Sequence, residues 1–118
     1  MAKMYQLSTC NTCQRILREL GEQPDLEVSN IKETPITAAE LDRMAELAGS
    51  YEALFNRRAQ KFRALGLAGQ KLEEADYRRL ILEEYTFLKR PVTIVGDQIF
   101  IGNAKQAVAG TAAALAKK

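Results

Sequence analysis

The spacing of hydrophobic and polar residues at the start of the chain predicts a β-α-β unit. The short run 4–7 has the composition of a strand. Residues 14–20 carry apolar side chains at helical spacing, and Gly21 is a suitable C-terminal cap for that helix. Residues 26–31 alternate well enough for a second strand. Two strands joined by a helix imply a parallel pair with a right-handed crossover.

The middle of the chain is predicted to be helical. Thr37 and Glu40 form a capping box after Pro35, and the apolar residues that follow continue one helix face up to Gly49. The elements predicted after this helix are short helical pieces at 51–55 and 59–65 and a longer helix at 73–85, with Tyr77, Leu80 and Ile81 on its inner side.

The last part of the chain predicts a hairpin and a helix. Residues 91–95 and 98–101 read as two strands, and Gly96-Asp97 between them is typical of a tight turn. The alanine-rich stretch 104–116 has high helix propensity and predicts a closing helix that docks on the sheet.

The predicted order is β-α-β, a helical segment, then β-β-α. This is an α/β fold, and without the middle helices it is the order of a thioredoxin-like (glutaredoxin-like) domain. No change in composition marks a linker on either side of the helices. We therefore predict one domain over residues 1–118, with a helical insertion at about 36–86.

Two cysteines, Cys10 and Cys13, lie where the first predicted strand turns into the first turn of a helix. The free N–H groups and the positive dipole end of a helix stabilise an anion, so a thiol held there loses its proton more easily. The thiolate is the reactive form, and a Cys-x-x-Cys pair beside a β-α unit is a redox motif. Cys10 is therefore the predicted reactive thiol.

Other interpretations of the pair remain. Cys13 lies on the same side of the helix as Ile16 and Leu17, so a packing role is as compatible with its position as a redox role. A zinc site usually needs four Cys or His ligands, and the chain has no histidine and no third cysteine, so no metal is expected. A single disulfide between neighbouring cysteines would not stabilise a small secreted fold, and Met1-Ala2-Lys3-Met4 does not resemble a signal peptide. We therefore do not expect a disulfide-rich secreted protein.

Composition and charge exclude some classes of partner. The formal net charge is +2, with basic residues scattered among acidic ones, which predicts no direct nucleic-acid binding. No apolar run approaches the ~20 residues needed to cross a bilayer, so we expect a cytoplasmic protein with no membrane contact. The absence of histidine removes the commonest general base.

Several motifs in the same order resemble the arsenate reductase family, which includes the Spx regulators and small glutathione-linked reductase-like proteins. These are Tyr5, the Cys10-x-Thr12-Cys13 motif, Arg90-Pro91-Val92 before the hairpin, and Gly102 after it. The resemblance extends over nearly the whole chain, including the segment 53–58. It implies the thioredoxin-like fold with its helical insertion.

The resemblance implies that Pro91, commonly cis in thioredoxin-like proteins, sits against the cysteine loop and that Arg90 points towards Cys10. A guanidinium is a permanent charge and a planar donor fork, so it lowers the pKa of a neighbouring thiol and holds an oxyanion with two bonds. The alternative for Arg90 is a solvated cation at a helix end.

The same resemblance implies roles for four further residues. Asn11 and Thr12 supply backbone N–H groups, and the Thr12 hydroxyl is a further donor unless it only starts the helix. Arg58 is a second oxyanion donor or else a surface charge. Cys13 resolves the intermediate as a Cys10–Cys13 disulfide.

Two positions depart from the glutaredoxin-linked arsenate reductases. Their mid-chain arginine aligns with Asn56, beside Arg57 and Arg58, and their arginine after the final hairpin is replaced by Asn103. Each lost charged hydrogen bond weakens an oxyanion site by about 1.5–3 kcal/mol. We therefore expect weak arsenate reduction or none.

The resulting prediction is a thiol oxidoreductase of the arsenate reductase type that acts on a small oxyanion or a disulfide. It binds no resident cofactor and takes electrons from glutathione, glutaredoxin or thioredoxin. The alternative is an Spx-like redox-sensing transcriptional regulator that binds RNA polymerase, with the cysteine pair as sensor. A third hypothesis, the fold without activity, predicts an ordinary Cys10 pKa near 8.5.

Overall fold

The computed structural model describes residues 2–116 as two compact units. One is formed by residues 2–35 and 90–116, and the other is the continuous segment Ile36–Lys89. The first unit contains every strand of the sheet, and the second contains the helices between Ala38 and Phe87. The α/β class and the order predicted from the sequence are confirmed.

The sheet of the first unit has four strands, β1 (Ala2–Gln6), β2 (Leu26–Asn30), β3 (Val92–Val95) and β4 (Gln98–Ile101), in the order β2-β1-β3-β4. β1 pairs in parallel with β2 and antiparallel with β3, which pairs antiparallel with β4. β1 is thus a central strand, and the chain leaves its carboxyl end directly into the loop that carries Cys10.

Two helices cover one face of this sheet. α1 (Asn11–Leu20) packs Ile16 and Leu20 on Met4, and α5 (Lys105–Ala116) packs Ala114 and Leu115 on Ala2 and Val95. Ala2 and Met4 point to the same side because side chains alternate along a strand. The apolar stripe that predicted α1 is therefore the stripe that fixes the helix on the sheet.

The second unit has an aromatic centre. Its helices are α2 (Ala38–Ala48), α3 (Gln60–Ala64) and α4 (Glu74–Glu83). The Phe55 ring lies 4.9 Å from Tyr77, 5.0 Å from Phe87 and 5.9 Å from Phe62, centroid to centroid. The predicted capping box at the start of α2 is present, with Thr37 and Glu40 bonded to each other's backbone N–H groups.

Most differences from the predicted elements are at their ends. The helix expected over 73–85 stops at Glu83, because Glu84 is extended (φ −142°, ψ 112°), and a 3-10 helix follows at Tyr85–Phe87. Two more 3-10 helices occupy Glu52–Leu54 and Leu67–Gly69, and the second of these was not predicted. Single turns of this kind have too few residues to show a period.

Candidate functional site

Cys10 occupies the junction between β1 and α1. Its backbone N–H donates to the Leu7 carbonyl oxygen (3.0 Å), and its own carbonyl accepts the first helical bond from the Gln14 N–H (3.1 Å). It is the N-cap residue of α1, with extended backbone angles (φ −89°, ψ 116°). The side chain is partly exposed and the thiol is free. The local sequence therefore presents one accessible thiol at a helix N-terminus.

The surroundings of Cys10 lower the pKa of its thiol. Partial burial acts in the opposite direction, but it is outweighed by the backbone N–H and the thiol of Cys13, the backbone N–H of Thr12 and the charge of Arg90. The thiol makes no capping hydrogen bond of regular geometry. The N–H groups therefore act mainly through their partial positive charges, as at any helix N-terminus. A lowered pKa is what a nucleophilic cysteine needs.

Cys13 has the opposite character. It is fully buried in the first turn of α1. The pKa of its thiol is raised to about 11, mainly by burial and also by the neighbouring Cys10, while the Leu7 backbone and the charge of Arg90 act in the opposite direction. Cys13 is therefore a protonated thiol at neutral pH, and it donates towards the Cys10 sulfur.

Arg90 and Pro91 lie at the start of β3, beside the cysteine loop. The pairing of Tyr5 with Val92 places the end of β1 next to the beginning of β3. The Arg90–Pro91 peptide bond is cis. The charge of Arg90 acts on both cysteines, and its Nη1 atom is buried with no hydrogen-bond partner among residues 2–116. One donor of this guanidinium is thus unsatisfied within that part of the chain.

The first turn of α1 and the end of β4 complete this side of the site. Asn11 is exposed and Thr12 half-buried. The Gly102 N–H donates to the Pro91 carbonyl (2.9 Å), and Gly102 has φ +81°, a conformation that glycine adopts without strain. Asn103, exposed, follows directly, so an amide stands beside the Arg90-Pro91 turn.

Arg58 and its neighbours belong to the second unit. The Arg57 Nη2 atom bonds both Glu52 Oε2 and the Tyr77 hydroxyl at 2.7 Å, and its guanidinium lies 5.5 Å from the centre of the Tyr77 ring. The exposed Arg58 side chain has no ion pair or hydrogen bond to any residue in the described part of the chain. The Asn56 side chain accepts from the Arg58 N–H (3.0 Å) and donates to the Thr86 carbonyl. The Arg57 guanidinium is therefore held by an ion pair and a hydrogen bond, whereas the Arg58 guanidinium is unengaged in either kind of contact within residues 2–116.

Sequence reasoning missed the side chains that hold the turn before Cys10. Gln6, Gln14 and Asn30 all bond to Ser8. For Gln14 a signal exists, because a side chain four residues after an N-cap lies above the start of its helix. Gln6 and Asn30 come from two strands, and only the parallel pairing of β1 with β2 brings them together.

Within residues 2–116, no three His, Cys, Asp or Glu side chains are grouped so that they could hold a metal ion. No helix in that range is long and apolar enough to cross a membrane.

Comparison with known proteins gives a consistent family assignment. The model of the ArsC family matches residues 5–111. No curated protein matches the chain significantly. Among solved structures, an arsenate reductase from Vibrio cholerae has a TM-score of 0.78 at 20% identity, over 92% of this chain and 95% of that one.

Two further solved structures have the same fold. An arsenate reductase (ArsC) related protein from Brucella melitensis gives a TM-score of 0.72 at 23% identity, over 92% of each chain. The protein SACOL0876 from Staphylococcus aureus COL gives 0.73 at 28% identity, over 93% of this chain and 97% of that one. The three structural matches therefore extend over both units of the chain.

Proposed function

The chain belongs to the ArsC family, and from this premise we propose that it is an arsenate reductase-like thiol oxidoreductase with Cys10 as nucleophile. One observation carries the proposal. Cys10 is the N-cap of α1, partly exposed, with its pKa lowered despite the opposing effect of burial. The hypothesis of a fold without activity predicts an ordinary pKa and does not account for this.

The first step is attack on a disulfide by the Cys10 thiolate. Its sulfur forms a bond with one sulfur of the substrate, the substrate S–S bond breaks, and the second sulfur leaves with the electron pair as a thiolate. The product is a mixed disulfide on Cys10. The Arg90 guanidinium supplies positive charge beside the reacting atoms, which is supported by its effect on the Cys10 thiol.

The second step is closure of a Cys10–Cys13 disulfide. The negative charge of Cys10 and the hydrogen bond between the two thiols both raise the pKa of Cys13. Both effects disappear once Cys10 is bound in a mixed disulfide. The Cys13 proton passes to solvent, its thiolate attacks the Cys10 sulfur, and the remaining substrate thiolate leaves. Two electrons have then moved from the cysteine pair to the substrate. Two thiols of glutathione, glutaredoxin or thioredoxin return them and become a disulfide.

Anion binding is assigned to the elements around Cys10. The N–H groups at Asn11 and Thr12 begin a helix whose positive end favours an oxyanion. Pro91 closes the site beside Arg90. Arg58, with its unengaged guanidinium, is proposed as a further anion donor. Arg57 is already held by Glu52 and Tyr77, so it binds an anion only at the expense of those contacts.

The preferred substrate is therefore a disulfide and not arsenate. Arsenate presents several anionic oxygens, and the amide of Asn103 offers neither charge nor a guanidinium fork to hold them. A mixed disulfide places only sulfur at the reacting centre and needs less positive charge. The proposal assigns the protein to the cytoplasm, where thiols are kept reduced.

The test compares turnover with the two classes of substrate. A small disulfide or arsenate is supplied with glutathione alone, glutaredoxin or thioredoxin, and NADPH consumption is followed through the matching reductase. We expect catalytic turnover with the disulfide and little or none with arsenate. Arsenate turnover in the usual enzyme range of roughly 1–1000 per second would contradict the substrate assignment.

The cysteine variants provide the controls. Cys10→Ser should abolish turnover, whereas Cys13→Ser should still perform the first attack and accumulate a mixed disulfide that is visible by mass spectrometry. A wild-type protein that oxidises once and then stops would instead be a redox-switched regulator, and the enzyme proposal would fail.

A further inference from the structure

Three side-chain hydrogen bonds to Ser8 hold the turn that precedes Cys10. The Ser8 carbonyl accepts from Gln14 Nε2 (3.0 Å), its hydroxyl accepts from Gln6 Nε2 (3.2 Å), and its N–H donates to Asn30 Oδ1 (3.5 Å). The three amide side chains belong to α1, β1 and β2 respectively. Ser8 is itself exposed, so these bonds, and not the packing of its own side chain, hold it in place.

Of the three partners, Gln14 has the most direct hold on the Cys10 backbone. The Asn30 bond is long, and its oxygen also accepts from the Lys32 N–H (3.2 Å). The Gln6 bond reaches only the Ser8 hydroxyl. Gln14 makes two hydrogen bonds to the backbone around Cys10. Its side chain donates to the Ser8 carbonyl, and its backbone N–H donates to the carbonyl of Cys10.

We propose that Gln14 is a positioning residue for Cys10, which keeps the thiol in front of the first N–H groups of α1. The proposal rests on the proposed function only in taking Cys10 as the reactive thiol. The effect of N–H dipoles and of the helix end falls off within one turn. A turn that swings away from α1 therefore takes the sulfur out of the field that stabilises its thiolate, although Cys10 itself is unchanged.

The chain offers a matched control at the other end of the same helix. The side chain of Gln23 donates from Nε2 to the Leu20 carbonyl (2.9 Å), which is the same kind of bond with nearly the same length. Loss of either bond removes one amide–carbonyl interaction associated with α1. Only the bond of Gln14 is connected to the turn before Cys10, so the two variants separate positioning from general stability.

The experiment uses Gln14→Met and Gln23→Met in the full chain. Methionine has similar length and good helix propensity but no N–H donor. The rate of alkylation of Cys10 by iodoacetamide is measured against pH, with Cys13 kept in place because it is buried and belongs to the site. For Gln14→Met we expect the midpoint to rise by about 0.5–1 pH unit, a loss of roughly 3–10-fold in thiolate at pH values well below the midpoint. Gln23→Met should keep the wild-type midpoint.

Two results would overturn the proposal. One is an alkylation profile of Gln14→Met that superimposes on that of the wild type. The other is an equal shift in Gln23→Met, which would show that a loosened helix and not the turn is responsible. The readout does not need a substrate. An absence of turnover would thus refute the proposed enzyme without affecting this measurement, and an unmoved midpoint would refute the role of Gln14 without affecting turnover.

Discussion

Cys10 and Cys13 are three residues apart and their thiols are perturbed in opposite directions. Cys10 lies before the first turn of α1, partly exposed, and its thiolate faces N–H groups and a guanidinium. Cys13 lies within that turn and is buried, so its charged form loses hydration that the Leu7 backbone and the charge of Arg90 replace only in part. Cys10 is therefore suited to nucleophilic attack as a thiolate, whereas Cys13 stays protonated at neutral pH.

The raised pKa of Cys13 predicts a loss of stability at alkaline pH. In the unfolded chain the thiol ionises near pH 9.0, whereas in the folded protein it stays protonated up to about pH 11. Its stabilising contribution is complete below pH 9 and is lost as the pH rises through this window, because the unfolded state releases a proton that the folded state keeps. With about 1.4 kcal/mol for each pH unit, the loss is at most about 3 kcal/mol.

The measurement is the free energy of unfolding in urea at intervals from pH 8 to pH 11, for the wild type and Cys13→Ala. Apart from Cys10, whose pKa depends in part on the Cys13 thiol, the groups that titrate in this range are common to both proteins and cancel in the difference. The stability of the wild type should fall more steeply. Parallel curves would show that Cys13 ionises normally in the folded protein. The lowered pKa of Cys10 gives the opposite slope, but that effect lies below pH 9.

At the level of elements, the contact of α5 with the sheet depends on a glycine inside the helix. A Cβ atom at Gly110 would lie 2.7 Å from Cε1 and 3.0 Å from Cδ1 of the Phe100 ring on β4. The ring packs against the cluster that α5 forms with Ala2 and Val95. The absence of a side chain at this position is therefore what allows the helix and the ring to approach each other closely.

Gly110→Ala should accordingly destabilise the protein, against the usual trend. In an ordinary helix interior this exchange stabilises by about 1 kcal/mol. Here the added methyl group must displace an aromatic ring, and such overpacking typically costs about 1–3 kcal/mol. We expect a net loss of roughly 1 kcal/mol in the free energy of unfolding, measured by urea denaturation.

A double-mutant cycle identifies the cause. In a Phe100→Leu background the ring is gone, so Gly110→Ala should regain its normal stabilising effect. If Gly110→Ala destabilises equally in both backgrounds, the clash with Phe100 is not the reason.

At the level of the whole molecule, one of the two units is formed by two separate segments of the chain. The first unit is assembled from 2–35 and 90–116, and the second unit, Ile36–Lys89, is inserted between them. Two segments of one sheet are thus joined through a folded insertion. Unfolding the insertion alone leaves a loop of about fifty residues that the first unit must keep closed, and each unit is of a size with marginal stability by itself.

We therefore propose that residues 1–118 behave as one domain and unfold in a single transition. The test follows each unit by its own signal during thermal unfolding. Tyr51, Tyr77 and Tyr85 lie in the second unit and dominate the near-ultraviolet tyrosine signal. Burial of Cys13 reports on the first unit through its labelling by a thiol reagent. Coincident midpoints are expected, and midpoints several degrees apart would contradict the single-domain prediction.

The sequence by itself determined the elements of the fold. Stripes of apolar residues, the Thr37–Glu40 capping box and glycines at helix ends are local signals, because each depends on residues within one or two turns. The same holds for Cys10, since its place before a helix needs only the strand and the helix on either side. Arg90, Pro91 and Arg58 were singled out by resemblance to a family and not by local physics.

Only the tertiary structure decided which groups share a site. Ser8 is held by amides from α1, β1 and β2, and Arg90 comes beside the cysteines because β3 pairs with β1. Such contacts join residues far apart in the chain, so no local period records them. Burial decided the rest: it made Cys13 a protonated thiol, where the spacing of the motif had left packing and redox roles equally open. Spacing gives the direction of a side chain, but its proton affinity depends on everything that packs around it.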